Sequence, residues 1–396
     1  MNTLDDLKDV KGKLVLCRFD LNVPVDDAGN VTDTTRIDRV KDTILELRDK
    51  GTKVAILSHF GRPKGTCNLD FSLSFLPPVL EKQWGVPVSF SDDCLCDPEL
   101  SDGEITLMEN VRFYEGEEAC DPEFVAKLAG GAGDIFINDA FSASHRAHAS
   151  TEGLAHALPS YAGRALQGEL NALEMALGEP ERPVVAIVGG AKISTKLDVL
   201  HNLVSRVDLI ILGGGMANTF LHAAGFDLGA SLCEKDMSDQ AVAIFEKAEE
   251  SGCAIFLPSD AKAAVEFKAG TAYDEVSVTA VPSDRMILDV GAQSIESIKG
   301  ILDHAKTVVW NGPLGVFEMS PFDEGTNAIA QYAATKVKSG DLKVIAGGGD
   351  TVSALAHADV VNDMTYVSTA GGAFLEWLEG KDLPAIAALE MMGEEE

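Results

Sequence analysis

What most restricts the fold of this chain is a repeated alternation. Short, continuous runs of Val, Ile and Leu are separated by longer stretches with helical periodicity. The runs in the first part are Leu14–Phe19, Val54–Leu57, Val86–Phe90, Ile105–Met108 and Ile135–Ile137. Those in the second part are Val184–Val188, Leu209–Leu212, Ala254–Leu257, Met286–Leu288, Val308–Trp310, Val344–Ala346 and Tyr366–Val367. Several lack the polar alternation of a half-exposed strand, which is how strands covered on both faces read. Between them, Arg36–Asp49 places Ile37, Val40, Ile44 and Leu47 on one stripe, and Asp239–Glu250 does the same with Val242, Phe245 and Ala248. Strand and helix in alternation predict parallel sheets with helices on both faces.

Pro159–Gly163 reads as a turn, and Arg164–Gly178 as a helix ended by Gly178 and Pro180. The chain has 396 residues, and domains average roughly 150. The expectation is an α/β protein of two Rossmann-like lobes, residues 1–163 and 164–374, joined by that helix with a cleft between. No run of apolar residues is long enough to span a bilayer, and Met1–Lys13 lacks the apolar stretch of a secretory signal. Asp and Glu number 63 against 32 Lys and Arg, a net charge of −31. So acidic a surface repels phosphate backbones and anionic lipids, so neither a nucleic acid nor a membrane is expected as partner. The acidic runs Asp26–Asp27, Glu115–Glu118, Glu246–Glu250 and Glu394–Glu396 read as solvated surface. Self-repulsion of this size points to a halophilic chain, folding in a high-salt cytoplasm that screens it. The seven scattered cysteines fit reduced thiols in a cytoplasmic protein.

Against this acidity the arginines are unevenly placed. Eight of the eleven precede residue 165, and Arg18, Arg62, Arg112 and Arg146 each sit at or just past the end of an apolar run. Arg36 opens a helix near the same rim. Histidines accompany them in Ser58-His59-Phe60-Gly61-Arg62-Pro63 and Ser144-His145-Arg146-Ala147-His148, and Asp20 and Asn22 follow Arg18. Ligands of open α/β sheets bind at the carboxyl ends of the strands. Guanidinium forks suit carboxylate and phosphate, and Asp and Asn suit a hydroxyl. The first lobe therefore reads as a pocket for a small hydroxylated polyanion.

The second lobe has glycine in the equivalent places: Gly189-Gly190-Ala191-Lys192, Gly213-Gly214-Gly215, Asn311-Gly312-Pro313-Leu314-Gly315, Gly347-Gly348-Gly349-Asp350-Thr351 and Ala370-Gly371-Gly372. Such turns bring backbone amides and helix N-termini close to phosphate. A nucleotide on this side facing a polyanion on the other suggests phosphoryl transfer, which needs positioning and charge neutralisation rather than a protein nucleophile. Lys192 and Lys196 can hold phosphate oxygens, Asp350 can bind Mg²⁺, and Glu318 can accept ribose hydroxyls. On residues alone two other classes stay open. A two-lobed binding protein would not need the second, glycine-rich lobe. A nicotinamide dehydrogenase would need Gly-x-Gly-x-x-Gly, but Asn218 stands where the third glycine belongs.

Taken in order, Arg18-Phe19-Asp20-Leu21-Asn22-Val23-Pro24, Ser58–Pro63, Glu109–Phe113, Asn138–His148, Gly189–Lys196, Trp310–Glu318, Gly347–Thr351 and Ser368–Gly372 resemble the phosphoglycerate kinases over nearly the whole chain. The resemblance implies reversible transfer between 1,3-bisphosphoglycerate and MgADP, giving 3-phosphoglycerate and MgATP. It places the phosphoglycerate on Asp20, Asn22, Arg36, His59, Arg62, Arg112, His145 and Arg146. It places ADP or ATP on Gly190, Lys192, Lys196, Gly214, Asn311, Pro313, Glu318, Gly348, Gly349, Asp350 and Thr351, with Asp350 on the Mg²⁺. Arg36, Lys192, Gly371 and Gly372 are implied to steady the phosphoryl group in flight. Excluding water from the transfer calls for two lobes that close by hinge-bending, and the family implies return of residues 375–396 to the first lobe. A monomer is expected. The one departure is Ala370, where the family usually has a third glycine.

Overall fold

The structure, a computed structural model, describes residues 1–130 and 133–394, so the end of the acidic tail Glu394–Glu396 lies outside the described residues. The chain divides into two compact units, Met1–Leu170 with Asp382–Glu396, and Asn171–Lys381.

The first unit is built on six strands: β1 (Leu14–Phe19), β2 (Lys53–Leu57), β3 (Ser89–Ser91), β4 (Ile105–Met108), β5 (Ile135–Asp139) and β6 (Ser160–Ala162). They form one parallel sheet in the order β3-β4-β2-β1-β5-β6. Every residue of β1 and β5 is buried, as their unbroken apolar runs require. From β1 the chain moves through β2 to β3 on one edge, returns to β4 and then crosses to β5 and β6 on the other side of β1, so the direction of winding reverses between β1 and β5. That reversal opens a crevice at the strands' carboxyl ends. Two details differ from expectation. The run Val86–Phe90 yields only the edge strand Ser89–Ser91, with Val86 and Val88 buried in the core ahead of it. The turn expected at Pro159–Gly163 is strand β6, whose Ala162 amide donates to the Asn2 carbonyl (2.9 Å).

The helix expected over Arg36–Asp49 is two helices, Thr35–Arg39 and Lys41–Asp49, broken at Val40. Its stripe nevertheless holds, since Ile37, Val40, Ile44 and Leu47 are all buried.

The second unit has nine strands: β7 (Val184–Val188), β8 (Leu209–Leu212), β9 (Ala254–Phe256), β10 (Asp260–Ala264), β11 (Tyr273–Ser277), β12 (Met286–Val290), β13 (Thr307–Asn311), β14 (Lys343–Gly347) and β15 (Tyr366–Ser368). Six form a parallel sheet in the order β15-β14-β13-β7-β8-β9. The other three form an antiparallel sheet, β11-β10-β12, so Met286–Leu288 does not join the main sheet. Its central strand reads Asp-Ala-Lys-Ala-Ala and is buried throughout, a composition that no apolar run reveals. Its two charges are satisfied locally. Asp260 accepts from the Ser294 hydroxyl (2.6 Å) and the Gln293 and Ser294 amides, while Lys262 reaches the Pro321 carbonyl (3.1 Å) and Glu324. The helix Ser238–Ser251 buries Ala241, Ile244 and Ala248, and leaves Val242, expected on that stripe, exposed.

The junction of the units falls within the helix Arg164–Leu173. Its start is tied to the first unit by Asp139, at the end of β5. This buried carboxylate accepts from the Leu166 amide (2.7 Å) and the Thr43 hydroxyl (2.7 Å). Burial pushes its pKa up from 3.8 to about 6 against the pull of these bonds. A carboxyl raised in this way stabilises the fold most below its unfolded value, and the contribution is lost as pH rises through about 6. Asp139→Asn should therefore flatten the decline of stability between about pH 4 and about pH 6 in urea unfolding; an unchanged decline would show that Asp139 does not titrate there. Thr43→Val should cost about 1–2 kcal/mol in the same measurement.

Candidate functional site

In the first unit, the expected phosphoglycerate residues lie on the segments after β1, β2, β4 and β5, except Arg36, which is in the helix Thr35–Arg39. Asp20 accepts from Arg36 (2.5 Å), the Ser142 hydroxyl and the Asn22 amide (3.1 Å). Burial opposes its ionisation, but Arg36 and the Ser142 hydroxyl hold its pKa below the usual carboxylate value. The Asn22 side chain accepts from the Gly61 amide (3.0 Å), joining the loop after β1 to the loop after β2. Arg112 is largely buried, donates to the Gly61 carbonyl (2.9 Å), and lies 3.3 Å from Glu118. Arg62 and Arg146 are exposed. Arg146 donates to His145 Nε2 (3.1 Å), and Arg62 makes no ion pair among the described residues.

These cations are crowded. Burial lowers the Arg112 pKa, and despite nearby Glu118 the repulsion of Arg146 and Arg62 adds to the effect. His148 is pushed down to about 4, by burial first and then by Arg112, Arg18 and Arg146. His59 falls well below its ordinary value, again through burial and then Arg18. In a chain of net charge −31, this local concentration of positive charge acts together with burial to disfavour the charged form of both imidazoles. Such an arrangement gains stability when a multivalent anion enters it.

Two residues depart from the sequence reading. Arg18, at the end of its strand, turns inward and is fully buried, donating to Ser150 Oγ (2.9 Å), His59 Nδ1 (2.9 Å) and the Phe19 carbonyl. Glu117, in an acidic run read as solvated, is fully buried and accepts from the Ser150 hydroxyl (2.6 Å) and amide (2.9 Å). Neither Ser142, Ser150 nor Glu117 carries a sequence signal that separates it from its neighbours.

In the second unit, the turns after β7, β8 and β13 pack backbone against backbone. A Cβ on Gly189 would meet the Pro313 carbonyl oxygen at 1.8 Å, so only glycine fits there. Several of these amides are already engaged: Gly213 donates to Val188 (3.0 Å) and Gly214 to Leu314 (2.8 Å). These glycines thus serve close packing as well as any ligand. Lys196, half-buried, donates to the Gly189 (2.7 Å) and Asn311 (2.9 Å) carbonyls. Burial lowers its pKa to about 8, partly offset by Asp350. Lys192 is exposed. Asn311 donates to the Gly347 carbonyl (2.8 Å), while its own side-chain oxygen is buried with no partner among the described residues. Thr351 is also committed, accepting from the Gly312 amide (2.7 Å).

Free amides lie elsewhere. The helices Gly349–His357 and Gly371–Leu378 begin side by side, with the Cβ position of Gly371 3.8 Å from the Gly349 nitrogen. Gly348, at φ +96°, turns the chain into the first of them. The first-turn amides of two converging helices have no partners of their own helix and favour an anion. Ala370 has φ −95°, which alanine adopts without strain, and its N–H donates to Ser368 Oγ (3.2 Å).

Beside these turns is a cavity of about 300 Å³. Gly190, Gly214, Pro313, Glu318 and Asp350 line it, as do the apolar side chains of Leu232, Phe267, Leu288 and Val316. A flat apolar ring system fits such a space, with its polar substituents directed towards the glycine turns. Part of its wall comes from β12 in the antiparallel sheet, which is why the sequence reading missed it. The described residues contain no cluster of three His, Cys, Asp or Glu. The exposed single carboxylate of Asp350 fits a Mg²⁺ whose other ligands are phosphate oxygens and water.

Residues 4–381 match the model of the family described as phosphoglycerate kinase. The chain is 59% identical over 394 residues to the phosphoglycerate kinase of a Chelativorans species, and 58% identical over 393 residues to that of Rhizobium meliloti, covering 98% of each chain in both cases. Among solved structures, the phosphoglycerate kinase of Coxiella burnetii matches with a TM-score of 0.94 at 42% identity, covering 98% of both chains. That of Pyrococcus horikoshii matches with a TM-score of 0.80 at 29% identity over the full length of both. The ordered motifs, the two parallel sheets and these full-length likenesses lead to one conclusion: the chain belongs to the phosphoglycerate kinase family.

Proposed function

We propose that the chain catalyses reversible phosphoryl transfer from 1,3-bisphosphoglycerate to MgADP, giving 3-phosphoglycerate and MgATP. The observation that carries this reading is the crowding of Arg62, Arg112 and Arg146 in an otherwise acidic chain, where the repulsion of Arg146 and Arg62 adds to burial in lowering the Arg112 pKa. A bisphosphorylated acid neutralises that charge. Arg62, Arg112, His145 and Arg146 take its phosphate, and His59, Asn22 and Asp20 orient its carboxyl end and hydroxyl.

On the second unit, the apolar cavity takes the nucleobase and Glu318 the ribose. Gly190, Gly214, Pro313 and Asn311 shape the path of the phosphates, with Lys196 beneath them and Thr351 bracing Gly312. The helix starts at Gly348–Asp350 and Gly371–Gly372 supply amides. Asp350 would hold Mg²⁺, which would neutralise the nucleotide's phosphate charge. Arg36 and Lys192 neutralise the transferring group. Arg36 is paired with Asp20 at rest, so charge arriving with the substrate must compete for it. Towards MgATP, a β-phosphate oxygen of ADP attacks and the carboxylate of 3-phosphoglycerate leaves; in reverse that carboxylate is the nucleophile. In neither direction does the protein supply one, and it needs only to position and to exclude water. In-line transfer requires the ligands on the two units to meet, so hinge-bending closure belongs to this proposal. So do a cytoplasmic location, a monomeric state and adaptation to high salt.

Assay of the chain with MgATP and 3-phosphoglycerate should release ADP, and its absence from folded protein in any salt would reject the reading. Arg36→Ala should lower kcat by about 10²-fold or more with little change in the KM for nucleotide. A defect confined to nucleotide affinity would contradict its role. Asp350→Ala should weaken MgADP far more than metal-free ADP in calorimetry; equal weakening would remove Asp350 from the metal. The melting temperature should rise steeply from dilute buffer to molar KCl. A flat response would mean that the acidity is not a salt adaptation.

A further inference from the structure

We infer that Glu117 and Ser150 are positioning residues that fix the tautomer of His59. A guanidinium can only donate, so in the 2.9 Å contact between Arg18 Nη2 and His59 Nδ1 the imidazole nitrogen is the acceptor. The neutral ring then carries its proton on Nε2, which has no protein acceptor among the described residues. Arg18 is itself oriented. Its Nε donates to Ser150 Oγ (2.9 Å), which leaves the serine hydroxyl proton to point at Glu117 Oε1 (2.6 Å). Glu117 is fixed in turn by the Ser150 amide on its other oxygen (2.9 Å) and has no exposure to solvent.

The direction of every bond in this chain is thus decided. From Arg18 one branch runs through Ser150 to Glu117, and the other ends on His59. The charges agree with it. Burial, Arg18, Arg112 and Arg36 all disfavour a protonated His59, and only Asp20 favours one. Burial pushes the Glu117 pKa up, while Arg18, its two hydrogen bonds from Ser150 and Arg112 pull it down; through Ser150 it orients Arg18. The consequence is a neutral imidazole whose single N–H can donate to a carboxylate or phosphate oxygen. This inference rests on the reading that the arginine rim holds phosphoglycerate.

Nitrogen-15 spectra of the histidine side chains test it directly. In the wild-type protein His59 should be a single neutral tautomer with the proton on Nε2, and a proton on Nδ1 would overturn the inference without any variant. Ser150→Ala and Glu117→Gln should each mix the tautomers and raise the KM for 3-phosphoglycerate about tenfold, as expected for one misdirected charge-assisted hydrogen bond. The KM for MgATP should not move. Ser150→Thr, which keeps the hydroxyl, should restore both the tautomer and the KM. Folded variants with the wild-type tautomer and wild-type KM would refute the positioning role. The rim itself is checked separately by Arg62→Ala: if 3-phosphoglycerate affinity were unchanged there, the substrate assignment would fail while the tautomer measurement would still stand.

Discussion

Two parallel sheets that are covered on both faces leave polar side chains almost nowhere to go except the ends of the strands. The interiors of β1, β5, β7 and β13 are closed to water along their length. A charge placed there would have to be paired and hydrogen-bonded within the sheet. The groups that meet ligands are therefore confined to the loops and helix starts at the carboxyl ends, where the backbone turns and the helix dipoles favour anions. Everything proposed for this chain follows from that confinement.

The two units meet the same constraint with opposite chemistry. The first collects guanidinium and imidazole groups until they repel one another, and the buried carboxylate of Glu117 offsets part of that charge. The second uses almost no side-chain charge. It brings turns so close that Gly189 and Pro313 touch through their backbones, and converges two helix starts at Gly349 and Gly371. Among the described residues at those turns, Lys196 is the half-buried cation, held on two carbonyl oxygens with its pKa lowered to about 8 by burial. A site made of charges selects a compact multivalent anion. A site made of amides and an apolar cavity selects a longer molecule with one ring and one chain of phosphates.

Some of this was legible before any coordinates. Continuous Val/Ile/Leu runs marked the main-sheet strands, because burial on both faces leaves a pattern that needs no tertiary information. The motif segments placed Asp20, His59, Arg62, Arg112 and Arg146 on the loops after β1, β2, β4 and β5. The antiparallel sheet was illegible for the opposite reason. Strand β10 is buried but reads Asp-Ala-Lys-Ala-Ala, since its charges are satisfied by Ser294, Pro321 and Glu324 from distant parts of the chain. Arg18 and Glu117 were misread likewise, because a strand-end arginine and an acidic run ordinarily face water.

By itself the sequence determined the class of fold, the family, the acidity of the surface and the residue types available at each strand end. These are local properties, carried by periodicity, composition and ordered motifs. Which of those side chains turn inward, which amides are already engaged, and which carboxylate sits beneath the arginines were decided only by tertiary structure. Direction and burial depend on what packs opposite a residue, and that partner can be far away in sequence, as Ser150 is from Arg18 at 132 positions.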